Sequence, residues 1–197
     1  MDEDLRQRLL ALQRKDEETR AVLLGDGSLF DGYAAETEKV HVRNARQLMA
    51  IVEEVGWPGA SLVGEDGAAA AWLVAQHAIG LPEVQRRCLE LIQEAVAAGE
   101  APAWQEAYLT DRIRFNERRP QRYGTLLDWD ERGELSPWPI EEPDSVGERR
   151  AGIGLPHLEE ALEFARAQAA AEGAAAPPDH AARQREIDEW ARSVGWL

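Results

Sequence analysis

Three groups of residues in this chain have side chains that could do chemistry. In "EAYLTDRIRF" (106–115), Tyr108, Asp111, Arg112 and Phe115 recur at i, i+3, i+4 and i+7, and Trp104 extends that helical face upstream. A carboxylate and a guanidinium in an aromatic stripe must be paired, because an isolated buried charge is costly. Neighbours in sequence diverge by about 100° around a helix, so both are expected to find partners on other elements. One outcome is an ion pair that fixes helix register. The other is a cleft wall, with Arg112 holding an anionic group and Asp111 orienting a base.

The second group is Gln76 and His77 at the end of "AAAAWLVAQHA" (68–78), four residues after Trp72 and Leu73 respectively. In so apolar a helix both need hydrogen-bond partners. His77 is either a satisfied core residue or a general base near neutral pH. Asp111 is then the natural orienting carboxylate if the two helices meet. The third group is Gln85, which breaks an otherwise apolar row, with Gln121, Tyr123 and Thr125 in "QRYGT". Those three alternate by two and would share one face of a strand, and Gly124 permits close backbone approach. They either complete a polar pocket or form the exposed face of a hairpin.

Other chemistries lack a local signature. There is no CxxC or HExxH, and His41, His77, His157 and His180 are scattered, so no metal is expected. No G-x-S-x-G or P-loop occurs, and no cofactor is expected. "LLGDGSLFDG" shares only Asp and Gly with a calcium loop; its spacing differs and the terminal Glu is missing. Cys88 lies on an apolar row and reads as core. The basic run "RIRFNERRPQR" (112–122) would receive an anionic ligand or pair with the acidic remainder of the chain.

These residues must be positioned by helices. Positions 3–23 read as a first helix with an apolar edge of Leu5, Leu9 and Leu12. Positions 34–55 read as a second, lined by Leu48, Ile51, Val52 and Val55, and ended by "GWPG". "LVGEDG" reads as a loop before the helix at 68–78. Helices follow at 83–99 and 103–116. From 121 the period changes to two, and "QRYGTLLDWD", "ERGE" and "LSPWPI" read as a β-hairpin whose prolines keep the return arm at an edge. The segment 145–154 reads as irregular or short helix. The helix at 156–172 has Leu158, Leu162 and Phe164 as anchors. "GAAAPPD" is a linker to a last helix carrying Ile187, Trp190 and Val194, which would dock on the body or on a partner.

The expected fold is mainly α (α+β), a helical domain with one small hairpin. Residues 1–33 form an N-terminal helix and loop, 34–172 the core domain with the hairpin near 121–141, and 173–197 a linker and C-terminal helix. The 197 residues carry a formal charge of −15, which repels phosphate backbones and anionic lipid surfaces. One cysteine excludes an internal disulfide and fits a reducing cytoplasm. "MDEDLRQRLL" is acidic where a signal peptide would be basic and then apolar, and no run approaches the roughly 20 apolar residues of a membrane span. The expected location is cytoplasmic. The bias to Ala, Arg and Gly over Lys, Ile and Asn points to a GC-rich bacterial genome.

Taken in order, "GWPG", "VGEDGAAAAWLVAQHA", "AYLTDRI", "QRYGT", "PI" and "ERRAGIGL" resemble the bacterial domain-of-unknown-function family numbered 6624, over about residues 38–165. The resemblance implies that Trp72, Gln76 and His77 (W-x-x-x-Q-H), Tyr108, Asp111 and Arg112 (Y-L-x-D-R), and Gln121, Tyr123, Gly124 and Thr125 (Q-x-Y-G-T) act together. The family usually continues with Gln where this chain has Leu126. It implies no particular activity.

Two functions are expected from these readings. In the first, the chain is a metal-independent enzyme acting on a small polar or anionic metabolite in a bacterial biosynthetic pathway. His77 and Asp111 are its catalytic dyad and Arg112 its anion anchor. Gln76, Gln85, Tyr108, Gln121, Tyr123 and Thr125 position the substrate, and Trp72 walls the pocket. In the second, the chain is a non-catalytic acidic binding protein that meets a protein partner through its C-terminal helix. Neither reading involves nucleic acid or membrane.

Overall fold

The computed structural model describes residues 1–27 and 33–197. The expected loop at 25–33, and the calcium-loop comparison made on it, fall largely on residues 28–32, outside that description. Among the described residues there are eight α-helices and one two-stranded hairpin, so the protein is mainly α. The chain divides into two compact units, Met1–Glu106 and Ala107–Leu197.

The first unit begins with α1 (Glu3–Asp26), capped by the Asp2 carboxylate on the Leu5 amide. Leu5, Leu9 and Leu12 are buried, as their spacing predicts. They bring α1 against α2 (Ala35–Val55) and α3 (Ala60–His77), so this helix is part of a packed unit. On α2 the buried face is His41, Asn44, Ala45, Leu48, Ile51 and Val52, while Val55, its last residue, is exposed. The expected loop "LVGEDG" is absorbed into α3, with a break at Gly64, whose φ of 76° suits glycine. The helix α4 (Pro82–Ala97) packs on α3 through Gln85, Cys88, Leu91, Ile92 and Ala95. Burial pushes the Cys88 thiol up to about 12, in keeping with a core residue.

The division falls within α5 (Ala103–Asn116). Its most buried apolar residues are Ala107, Leu109 and Ile113, each one residue (about 100° round the helix) from the aromatic stripe expected. In the second unit, β1 (Leu127–Trp129) pairs antiparallel with β2 (Leu135–Pro137), Leu127 opposite Pro137. The Asp130 carboxylate accepts the amides of Arg132 and Glu134 and so closes the turn. The segment 121–125 is not part of the strand. A short helix, α6 (Val146–Ala151), precedes α7 (Leu158–Ala171), which lies against β2. Phe164 on α7 is exposed rather than an anchor.

The last helix, α8 (His180–Val194), is fastened within the same unit. Arg183 and Gln184 donate to the buried Asp128 carboxylate at 2.5 and 3.1 Å, and Arg118 donates to Asp188 at 2.6 Å. Ala191 and Trp196 are buried. Much of the basic run is also spent within the unit. Arg114 bonds the Pro120 carbonyl and pairs with Glu141, Arg119 pairs with Glu117, and the Arg118 guanidinium stands over the Phe115 and Trp138 rings. No helix among the described residues is long and apolar enough to cross a membrane.

Candidate functional site

The first unit brings together Asp16 of α1, His41 of α2 and His77 at the end of α3. Asp16 continues the buried stripe Leu5–Leu9–Leu12 by one more turn, so its carboxylate is carried inward by the leucines that dock α1. His41 sits one heptad before Leu48 on the buried face of α2 and is carried inward in the same way. His77 closes α3, whose last turn is held by α4. The fully buried Gln85 amide donates to the Ala75 and Gln76 carbonyls at 2.8 and 2.9 Å. Gln85 therefore fixes the helix end that presents His77.

Both oxygens of Asp16 are used by imidazoles. His41 Nε2 donates to Oδ1 at 2.9 Å, and His77 Nδ1 donates to Oδ2. The two rings stand 4.9 Å apart between centroids. His41 Nδ1 meets the Tyr33 hydroxyl at 2.9 Å. Burial pushes the Asp16 carboxyl up, but the hydrogen bonds from His41 and His77, together with their charges, outweigh it and hold the group well below the usual carboxylate range. Burial, with the charges of Glu38 and Asp16, pushes the Tyr33 hydroxyl upward, so it remains a neutral donor or acceptor. The Asp16 and His41 side chains are 9% exposed, whereas His77 is 34% exposed. The centre is a buried ionised carboxylate with one enclosed and one solvent-reachable imidazole. One ligand atom from each of the three residues lies within 4.8 Å of the others, so the set could also hold a metal ion.

The orienting carboxylate of His77 is thus Asp16, not the expected Asp111. Asp111, fully buried in the second unit, is surrounded by the amides of the loop that follows α5. Its oxygens accept the backbone N–H groups of Arg122 (2.6 Å), Tyr123 (3.1 and 3.2 Å) and Thr125 (3.1 Å), and the Thr125 hydroxyl (3.0 Å). Burial pushes the Asp111 carboxyl above its ordinary value against the pull of those bonds. Close enough to feel its charge is Arg150, 2% exposed, which donates to the carbonyls of Tyr123 and Pro156 at 2.6 and 2.7 Å. Peptide 123 is therefore pinned on one side by Asp111 and on the other by Arg150.

The Q-x-Y-G-T residues build this knot. Gln121, fully buried, spends its amide on the carbonyls of Leu126 and Trp138 and accepts the Leu126 amide. Gly124 has φ 68°, and a Cβ there would lie 2.8 Å from Leu158 Cδ1, so the loop requires glycine. Tyr123 and Thr125 thus turn their amides to Asp111 and Gln121 ties the same segment to Leu126 and Trp138, so 121–125 is a loop held largely by backbone bonds and not one face of a strand.

Arg112, next to Asp111 on α5, has a buried Nε without a hydrogen-bond partner, and burial lowers its guanidinium to about 10. Among the described residues no carboxylate pairs with it. Tyr108 is half-buried on the same helix. In the first unit, Gln76 is buried. Trp72 packs edge-on against Trp104, and its indole N–H donates to the Gln105 carbonyl at 3.0 Å.

Residues 3–172 match the family of unknown function DUF6624, and the chain belongs to it. That match begins in α1 and so takes in Asp16 as well as His41 and His77. No curated protein and no solved structure matches the chain.

Proposed function

We propose that this member of DUF6624 is an enzyme acting on a small polar or anionic metabolite, and that its reacting centre is Asp16–His41–His77. The task assigned to the centre is to take a proton from a water or a substrate hydroxyl and so make a nucleophile for hydrolysis or group transfer. The observation that carries this reading is one buried carboxylate holding two imidazoles, of which one, His77, is reachable from solvent. A histidine placed in this way has the tautomer and ring orientation fixed by its carboxylate, and that carboxylate stabilises the imidazolium formed on proton transfer. Positioned proton transfer contributes about 10²–10⁴-fold to rate. The same three side chains could reach that nucleophile through a bound ion.

Arg112 is proposed as an anion anchor of the second unit, because burial disfavours its charge and no carboxylate compensates it. The formal charge of −15 supports a metabolite over nucleic acid as the ligand and fits a cytoplasmic bacterial enzyme. The same charge is what supports the alternative, a non-catalytic acidic interaction protein. The C-terminal helix lends that alternative less support, since α8 is fastened to its own unit.

The test is to incubate the protein with a bacterial small-molecule extract and follow every mass peak with time. Wild type is expected to consume specific metabolites, with the rate falling by about 100-fold or more in His77→Asn. Equal consumption by the variant, or none by wild type in extracts from several bacteria, would overturn the reading.

A further inference from the structure

The ligand geometry of the centre says more than its proton chemistry. His41 Nε2 and His77 Nδ1 converge on the two oxygens of one carboxylate, and one donor atom from each residue falls within 4.8 Å of the others. We infer that Asp16, His41 and His77 bind one divalent transition-metal ion through two imidazole nitrogens and one carboxylate oxygen. This deepens the proposed function and rests on it only for what the ion does, not for whether it binds.

Four features support the inference. First, each ligand comes from a different helix of one packed unit, so backbone and core packing set the spacing. An ion about 2.1 Å from each donor draws donors to roughly 3.0–3.5 Å of one another. The His41–Asp16 separation of 2.9 Å is already at that scale. The remaining closure is within the reach of side-chain rotation.

Second, two imidazoles and one carboxylate suit zinc, cobalt, iron or manganese and not calcium or magnesium, which take oxygen ligands. Three protein ligands also leave coordination positions open, as in catalytic sites.

Third, Tyr33 lies behind His41 at 2.9 Å from Nδ1. While His41 Nε2–H donates to Asp16, the Tyr33 hydroxyl donates to Nδ1. When Nε2 gives its lone pair to an ion, the proton sits on Nδ1 and the Tyr33 oxygen accepts it. A hydroxyl does either, and outer partners of this kind orient metal-bound histidines. Fourth, the charges agree. The centre holds one carboxylate and two imidazoles that are neutral as ligands, so a divalent ion leaves it with a single positive charge, inside a chain of formal charge −15.

Such a site has no local sequence signature, because its ligands lie 25 and 61 residues from Asp16. A bound ion at such a site lowers the pKa of its water to near 7 and thereby supplies the nucleophile that the proposed function requires.

The experiment is to strip the full chain with a chelator and titrate it with Co²⁺, reading visible d–d absorption, and then to displace the cobalt with Zn²⁺. The expected result is one ion per chain. Asp16→Asn, His41→Asn and His77→Asn should each weaken binding by about 100-fold or more, and Tyr33→Phe by about 10-fold. His157→Asn, an exposed histidine elsewhere, should bind as wild type does. Circular dichroism establishes that each variant is folded. Absence of stoichiometric binding, or binding unchanged in folded His41→Asn and His77→Asn, overturns the inference. If no ion binds but His77→Asn still abolishes metabolite turnover, the metal falls and the enzyme stands. If the ion binds and turnover is indifferent to all three residues, the enzyme falls and the metal site stands.

Discussion

Asp16 and Asp111 are both buried carboxylates on helices, and they do opposite things. Asp16 gives its oxygens to two imidazoles, side chains that can carry a proton or a metal ion, and one of them meets solvent. Asp111, itself fully buried, gives its oxygens to three backbone amides and a hydroxyl, groups that do not titrate. On the proposed function the first moves a proton or exchanges it for an ion, while the second holds a loop in one conformation. On that reading, what distinguishes the two carboxylates is not burial but the chemistry of their partners.

The comparison is broken most severely at Asp111. Asp111→Ala leaves the N–H groups of Arg122, Tyr123 and Thr125 and the Thr125 hydroxyl without this acceptor and removes a negative charge that acts on Arg150. The expected loss is about 3–5 kcal/mol of stability, measured by urea denaturation. A loss below about 1 kcal/mol would mean that the loop does not depend on this carboxylate.

Asp16→Asn should cost less at neutral pH, about 1–2 kcal/mol, because an amide keeps one acceptor. Its effect should depend on pH with a definite sign. The folded Asp16 carboxyl is held below its unfolded value of about 3.9, so its contribution is complete above about pH 4 and is lost progressively as pH falls below that. Asp111 has the opposite sign. Its carboxyl is raised on folding, so protonating it on acidification relieves a cost. Denaturation midpoints followed from about pH 6 down to pH 3 should show a shallower acid decline in Asp16→Asn than in wild type. A parallel decline would show that the two imidazoles do not stabilise the ionised form.

The smallest expected stability effect is at His77. Its ring is one-third exposed and ends a helix held by Gln85. His77→Asn should change stability by less than about 1 kcal/mol while removing the chemistry. A larger loss, seen by the same denaturation, would move His77 into the structural class with Asp111.

Much of the fold was legible because it follows from periodicity. The Leu5–Leu9–Leu12 edge, the Leu48–Ile51–Val52 face and the apolar helix before His77 all pack as their spacing requires. The polar residues of the Q-x-Y-G-T segment stood out in sequence, but their backbone bonds to Asp111 did not. Alternation by two in "QRYGT" imitates a strand, and only the backbone shows successive amides turned toward one carboxylate, with Gly124 at φ 68°. His77 stood out from its apolar surroundings, but its partner did not. Asp16 lies on the buried stripe four residues after Leu12, and His41 seven before Leu48. Each is a polar residue at a core-facing position, the same signal that drew notice to Asp111. They went unread because a charged α1 offers many acids, and only tertiary packing selects one. Ion-pair chemistry between helices has no period in sequence.

The central claim is that Asp16, and not Asp111, is the carboxylate that holds the two imidazoles. Proton–nitrogen correlation spectra of the histidine side chains test it most directly, on chelator-treated protein. The account predicts strongly downfield, slowly exchanging proton signals on His77 Nδ1 and His41 Nε2, both lost in folded Asp16→Asn and both retained in folded Asp111→Asn. Signals that persist without Asp16, or vanish with Asp111, would contradict it.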